Sequence, residues 1–209
     1  VSLLDLLTLT VLTVVGVQLV TAARASVGAR RHVVGIVSGL RARHMLLAVP
    51  VLAAVFVAVI LLLEVPGMAF GWWTAIGGVG NPVFGTSEHG VEGTAAFVVP
   101  LVFGGLLVVS LPLLVEREEW VFRRGAEDRP AWANAGMAVV FGLVHTLVGI
   151  PVGAALGLSL GGLYFTHTYL AEYRRTRSRD AAVAESTRAH LGYNLVIVSL
   201  VVVALALGA

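Results

Sequence analysis

Six long apolar runs separated by short polar segments set the plan of this chain: residues 2–23, 45–65, 94–115, 131–149, 151–171 and 189–207. About 20 apolar residues in a helix cross the hydrocarbon of a bilayer, so each run predicts a membrane helix. A seventh apolar stretch, residues 33–40, is too short to cross. Arg30, Arg31, Arg41 and Arg43 flank it, which predicts a segment lying in the interface. Residues 131–171 form one continuous apolar run. As a single helix it would be about 60 Å long, twice the hydrocarbon thickness. A break near Gly149–Pro151 divides it into two spans, because proline suits a helix start. The first run lacks a basic leader and carries Asp5, so it reads as a retained helix rather than a signal peptide.

Composition agrees with the pattern. The 209 residues are 58% hydrophobic and 12% charged, with mean hydropathy +0.93. A soluble domain carries about twice that charge. The expected fold class is all-α, a polytopic transmembrane bundle of about six helices. Cysteine is absent, which excludes disulfide and thiolate chemistry. A net charge of +2 gives no reason to expect a nucleic-acid partner; the bilayer is the expected environment. All 14 basic residues are arginine, and all fall in residues 23–44, 116–131 and 172–188. The loop of residues 67–93 has no arginine, eight glycines and the pair Trp72–Trp73. The positive-inside rule then puts the three arginine segments in the cytoplasm and both termini outside. Gly149, Gly153, Gly157 and Gly161 recur every fourth residue, a stripe that predicts close helix packing.

Three polar pieces stand out from this background. In EEWVFR, Glu119 precedes Arg123 by four positions, the favourable order for a pair on one helix face. Glu118 points about 100° away from it. In FGLVH, His145 lies deep in an apolar run, where an ionisable residue is a functional candidate by default. In HLGYN, His190 and Asn194 share one face. The bland readings are a solvated helix end for the charge cluster and polar glue between helices for His190 and Asn194. His32 and His44 adjoin arginines and are expected in solvent. His89 falls in the outer loop, and His167 reads as a structural hydrogen-bond partner or a further member of the site.

Together the three pieces resemble the CPBP family, the CAAX prenyl endopeptidase and bacteriocin-processing membrane proteins. That family shows EExxxR, FxxxH and HxxxN or HxxxD on separate helices. Here these are Glu118-Glu119-Trp-Val-Phe-Arg123, Phe141-Gly-Leu-Val-His145 and His190-Leu-Gly-Tyr-Asn194. The resemblance covers residues 94–208 and divides the chain into N-terminal membrane helices (1–93) and a CPBP-like core on the last four helices (94–209). Two departures are visible: Arg124 displaces the glycine that often follows the motif arginine to Gly125, and six helices are fewer than the eight of the family's CAAX proteases. The resemblance implies a glutamate-type intramembrane endopeptidase with no metal or cofactor. Glu118 would be the general base, lifted by burial toward the working range. His145 would help hold the water, Glu119 and Arg123 would form an orienting pair, and His190 and Asn194 would donate to the oxyanion. The substrate would be a membrane-associated peptide or protein, lipidated or not.

Other readings stay open at this stage. Glu118, His145, His190 and His167 supply nitrogen and oxygen donors that suit zinc, although HExxH is absent. A non-catalytic immunity protein that binds a hydrophobic peptide would use the same residues without chemistry. A proton-relay transporter is weaker, because no inverted repeat is apparent. A geometric tension also remains: Glu118 and His190 fall near predicted helix ends, while His145 counts deep.

Overall fold

The computed structural model describes residues 3–72 and 94–206, so the rest of the predicted outer loop, with Trp73 and His89, lies outside the described residues. Among the described residues the fold is all-helical, with seven α-helices. They are α1 (Leu3–Gly28), α2 (Arg30–Ser38), α3 (Ala42–Leu63), α4 (Thr94–Phe122), α5 (Ala131–Val144), α6 (Val152–Thr176) and α7 (Arg179–Ala206). Single tight turns, Ala126–Asp128 and His145–Val148, follow α4 and α5. Among the described residues three stretches are long and apolar enough to cross a membrane: Ala42–Leu63, Ala131–Val148 and Arg179–Val203.

Helix α6 is the central element and packs against α3, α5 and α7. It is not one of the three apolar spans, and its composition explains why. Small residues dominate the faces it buries, among them Gly153, Ala155, Gly157, Ser159, Gly161 and Gly162. A methyl group at Gly157 would stand 2.5 Å from Val59 of α3, and one at Gly153 would stand 3.0 Å from the Met68 carbonyl. Two members of the glycine stripe therefore do serve close packing. Gly161 is looser, with 3.7 Å to Phe165. Gly149 serves the backbone instead. At φ 85° it makes the left-handed turn that ends the α5 segment, and Pro151 then starts α6. The break thus falls where the proline rule puts it. The first free amides of α6 are capped from the turns that follow α3, Val152 N–H by the Phe70 carbonyl at 2.9 Å and Gly153 N–H by that of Met68 at 2.7 Å.

The apolar core joins both halves of the chain. Ala48 and Leu52 of α3 pack with Phe141, Phe165 and Tyr193. Ile36 of the short α2 packs with Leu111, Val115 and Leu191.

Candidate functional site

Glu119 sits one turn before the end of α4 and is completely buried. Its Oε1 accepts from His190 Nδ1 at 2.9 Å, and its Oε2 accepts from the Ser186 hydroxyl. Arg123 Nη1 lies 3.6 Å from Oε1, an ion pair without a hydrogen bond of its own. The arginine is otherwise held by aromatic faces, with its guanidinium carbon 4.1 Å from the Phe141 ring centre, 5.4 Å from Phe122 and 5.5 Å from Phe165. Its Nη2 donates to the Gly162 carbonyl at 3.3 Å. The approach there is tight, since a methyl group on residue 162 would meet Phe141 at 3.0 Å and the Ala138 carbonyl at 3.1 Å. Two of these three phenylalanines, Phe141 and Phe165, also position His190. Its ring stacks on Phe165 at 4.0 Å and 18° and meets Phe141 edge-on at 5.5 Å.

A carboxylate only accepts hydrogen bonds, so Nδ1 of His190 carries a proton. In the neutral ring Nε2 then holds the lone pair. Nε2 faces Glu118, with Oε2 at 3.7 Å. Glu118 differs sharply from its neighbour. Its side chain is 39% exposed, so the burial expected from sequence is not found. Adjacent residues on a helix point about 100° apart, and here that angle puts one carboxylate inside the bundle and the other at its edge.

His145 stands one turn beyond Phe141, at the tight turn that closes α5. Its Nδ1–H donates to the Phe141 carbonyl at 2.8 Å, which leaves Nε2 as the acceptor. Its ring meets Phe141 at 5.1 Å. It has no hydrogen bond, ion pair or ring contact with Glu118 or His190; Phe141 touches both histidines instead. Asn194 is half-buried, one turn from His190. Glu118, Glu119, Arg123 and His190 thus converge directly, while His145 and Asn194 lie one turn further along α5 and α7.

The helices that carry the site are offset along the bundle rather than level. His190 is about 17 Å along α7 from Arg179, and Phe141 about 15 Å along α5 from Ala131, at 1.5 Å per residue. Glu119, close to the end of α4, touches His190. Helix α4 therefore ends inside the bundle. Residues 123–130 return to the level of Arg179, which pairs with Glu127 and Asp128. That return is pinned throughout. Gly125 takes φ 82°, Tyr169 donates to Glu127 at 2.8 Å and accepts from Gly125 N–H at 3.2 Å, and Arg129 donates to the carbonyls of Phe122 and Arg124 at 3.1 and 3.2 Å.

Of the two histidines expected in solvent, one is buried and one is exposed. His44 is buried, not solvated, at 2% exposure. Its Nδ1 accepts from Arg41 N–H at 3.0 Å, so Nε2–H donates to Glu185 at 3.0 Å. The N-terminus of α3 is pressed onto α7 at Gly192, where a methyl group would meet His44 at 3.1 Å. His32 stays exposed but is paired, 2.8 Å from Glu116. Sequence reasoning also missed Ser186, which bonds the buried carboxylate. The usable signal was its place one turn before His190 on the same face of α7.

Among the described residues no three His, Asp or Glu side chains group so as to hold a metal ion. Comparison of the chain with protein-family models, with curated proteins and with solved structures found no match.

Proposed function

We propose that this chain is an intramembrane endopeptidase of the CPBP type, hydrolysing a peptide bond of a membrane-associated substrate. One observation carries the reading: His190 is held at Nδ1 by a fully buried carboxylate, with Nε2 turned toward a second, accessible carboxylate. Glu119, fixed by Arg123 and Ser186, sets the His190 tautomer. Glu118 is the member open enough to meet a water. It takes a proton from that water as the oxygen bonds to the peptide carbonyl carbon. The oxyanion is stabilised by Asn194, to which His190 adds an Nε2–H only in its imidazolium form. Glu118 then returns the proton to the leaving nitrogen as the C–N bond breaks. His145, with Nε2 free, assists in holding the water.

The accompanying topology has six spans, with residues 24–44, 116–130 and 172–188 on the cytoplasmic face of the cell membrane. The segregation of all 14 arginines supports it. Membranes containing the wild type or Glu118→Gln can be compared by mass spectrometry of newly formed peptide termini. Termini that depend on Glu118 are expected. If the two membranes yield the same set, the enzymatic reading fails and the peptide-binding one takes its place.

A further inference from the structure

Beyond the Glu127 turn a cavity of about 330 Å³ opens beside the end of α6. Arg129, Arg174 and Arg177 line it with Asn134, Leu170 and Tyr173. The chain has eight arginines from Arg123 onward. Five of them, Arg123, Arg124, Arg175, Arg179 and Arg188, have a carboxylate within 3.7 Å. The other three are those of the cavity, and none is ion-paired among the described residues. Glu127 also lines the cavity, but its two oxygens are engaged by Tyr169 and Arg179. The site therefore holds three guanidinium charges with no acid left to neutralise them.

A helix C-terminus favours basic residues on its own. That accounts for Arg174 in the last turn of α6 and Arg177 just past it. It does not account for Arg129, which comes from a different segment and is held by three backbone carbonyls. A second feature points to a ligand. Asn134 is 7% exposed. Its amide nitrogen donates to the Ala126 carbonyl at 2.9 Å, which fixes the flip, and its Oδ1 is buried without a partner. Buried polar atoms normally have one. A group that bears several anionic oxygens and one hydroxyl would satisfy both the guanidinium forks and this acceptor. Arg177 also stands in the left-handed region, at φ 56°, where glycine is the usual residue.

We propose that this cavity binds a phosphate group, either free phosphate or the headgroup of an anionic phospholipid. Basic pockets at the cytoplasmic ends of membrane helices take such headgroups, and Leu170 and Tyr173 offer an apolar wall beside the charge. The inference does not depend on peptide hydrolysis.

The test uses the full chain in detergent, with two probes. Inorganic phosphate is titrated by calorimetry. Dioleoyl-phosphatidylglycerol is compared with dioleoyl-phosphatidylcholine by the lipid retained in native mass spectrometry. Arg174→Gln/Arg177→Gln is set against Arg30→Gln/Arg31→Gln, which removes the same charge from exposed positions elsewhere. Each arginine contributes about fivefold near a membrane surface, so the cavity variant should lose about 25-fold and the control far less. Loss of phosphate binding identifies a free anion. Loss of phosphatidylglycerol retention without phosphate binding identifies a headgroup. Wild-type indifference to both probes, or equal losses in the two double variants, overturns the proposal. Should the cavity variant fold poorly, Arg177→Gly removes one guanidinium while relieving the backbone, and it must still weaken binding.

Discussion

Replacing Glu119 by glutamine should destabilise the protein far more than the same change at Glu118. The amide introduced by Glu119→Gln retains the hydrogen bonds: its oxygen accepts from His190, and its nitrogen donates to Ser186, whose hydroxyl turns to accept. What disappears is the charge opposite Arg123. At 3.6 Å and an effective dielectric of about 20, that interaction is about 4–5 kcal/mol. Breaking a buried pair costs about 3–5 kcal/mol in general. The contacts of Arg123 with its aromatic rings persist in the variant and do not offset the loss. A fall of about 3–4 kcal/mol should lower the melting temperature by about 10 °C for a chain of this size. Glu118→Gln removes a charge that is 39% exposed and 3.7 Å from its neighbour, a setting in which pairs are worth less than about 1 kcal/mol. The assay is a thermal melt in detergent followed by tryptophan fluorescence. Adding Arg123→Met to Glu119→Gln should recover part of the loss, with a coupling of about 2 kcal/mol. Equal destabilisation by the two glutamine variants, or strict additivity in the double variant, would refute the assignment of Glu119 as the buried partner.

Three other outcomes follow from particular contacts. Burial tends to raise the Glu127 carboxyl, but its own backbone N–H, Arg179 and Tyr169 outweigh that and hold it below its ordinary value of 4.5. A depressed carboxyl contributes stability above its unfolded value and loses it as pH falls through the folded one, so the stability gap between wild type and Glu127→Gln should close below about pH 4; a gap unchanged in melts from pH 7 to 3 would contradict this. Gly157→Ala should cost about 1–3 kcal/mol, because the new methyl meets Val59 at 2.5 Å, whereas Gly161→Ala, with 3.7 Å of room, should not destabilise; equal melting temperatures would remove the close approach of α3 and α6. Single cysteines at Glu88 and Arg177, in a chain with no native cysteine, should label from opposite sides of the membrane, and labelling from one side would sink the six-span topology.

Much of the architecture was legible because apolar length and backbone chemistry specify it. Apolar length marks the helices, and Gly149 and Pro151 mark the turn between α5 and α6 by backbone chemistry alone. Local spacing also placed Glu119 on the face of Arg123, and His190 on that of Asn194. Long-range packing was less accessible. His44 lies between Arg43 and a run of apolar residues, and nothing nearby in the chain reveals that Gly192 makes room for it on α7. Ser186 acquires its role only because α4 delivers a carboxylate to it from 67 residues away.

The roles of the two glutamates were the hardest to read, and the reason is geometric. Neighbouring helix positions differ by about 100°, so a pair of acids at one helix end always presents two faces. Which face is buried depends on what the other helices bring. Here Phe141, Phe165 and Gly162 form the wall that receives Arg123, and Arg123 in turn favours the carboxylate one turn before it on its own face. Glu119 is committed to that place by its ion pair, its hydroxyl donor and its imidazole. Every lone pair so engaged makes it a poorer base toward a water. Glu118, 3.7 Å from His190 Nε2 and in no hydrogen bond among the described residues, keeps its oxygens available. Burial and availability are therefore set by the same packing, and it is the accessible carboxylate, not the buried one, to which the proposed proton transfer must be assigned.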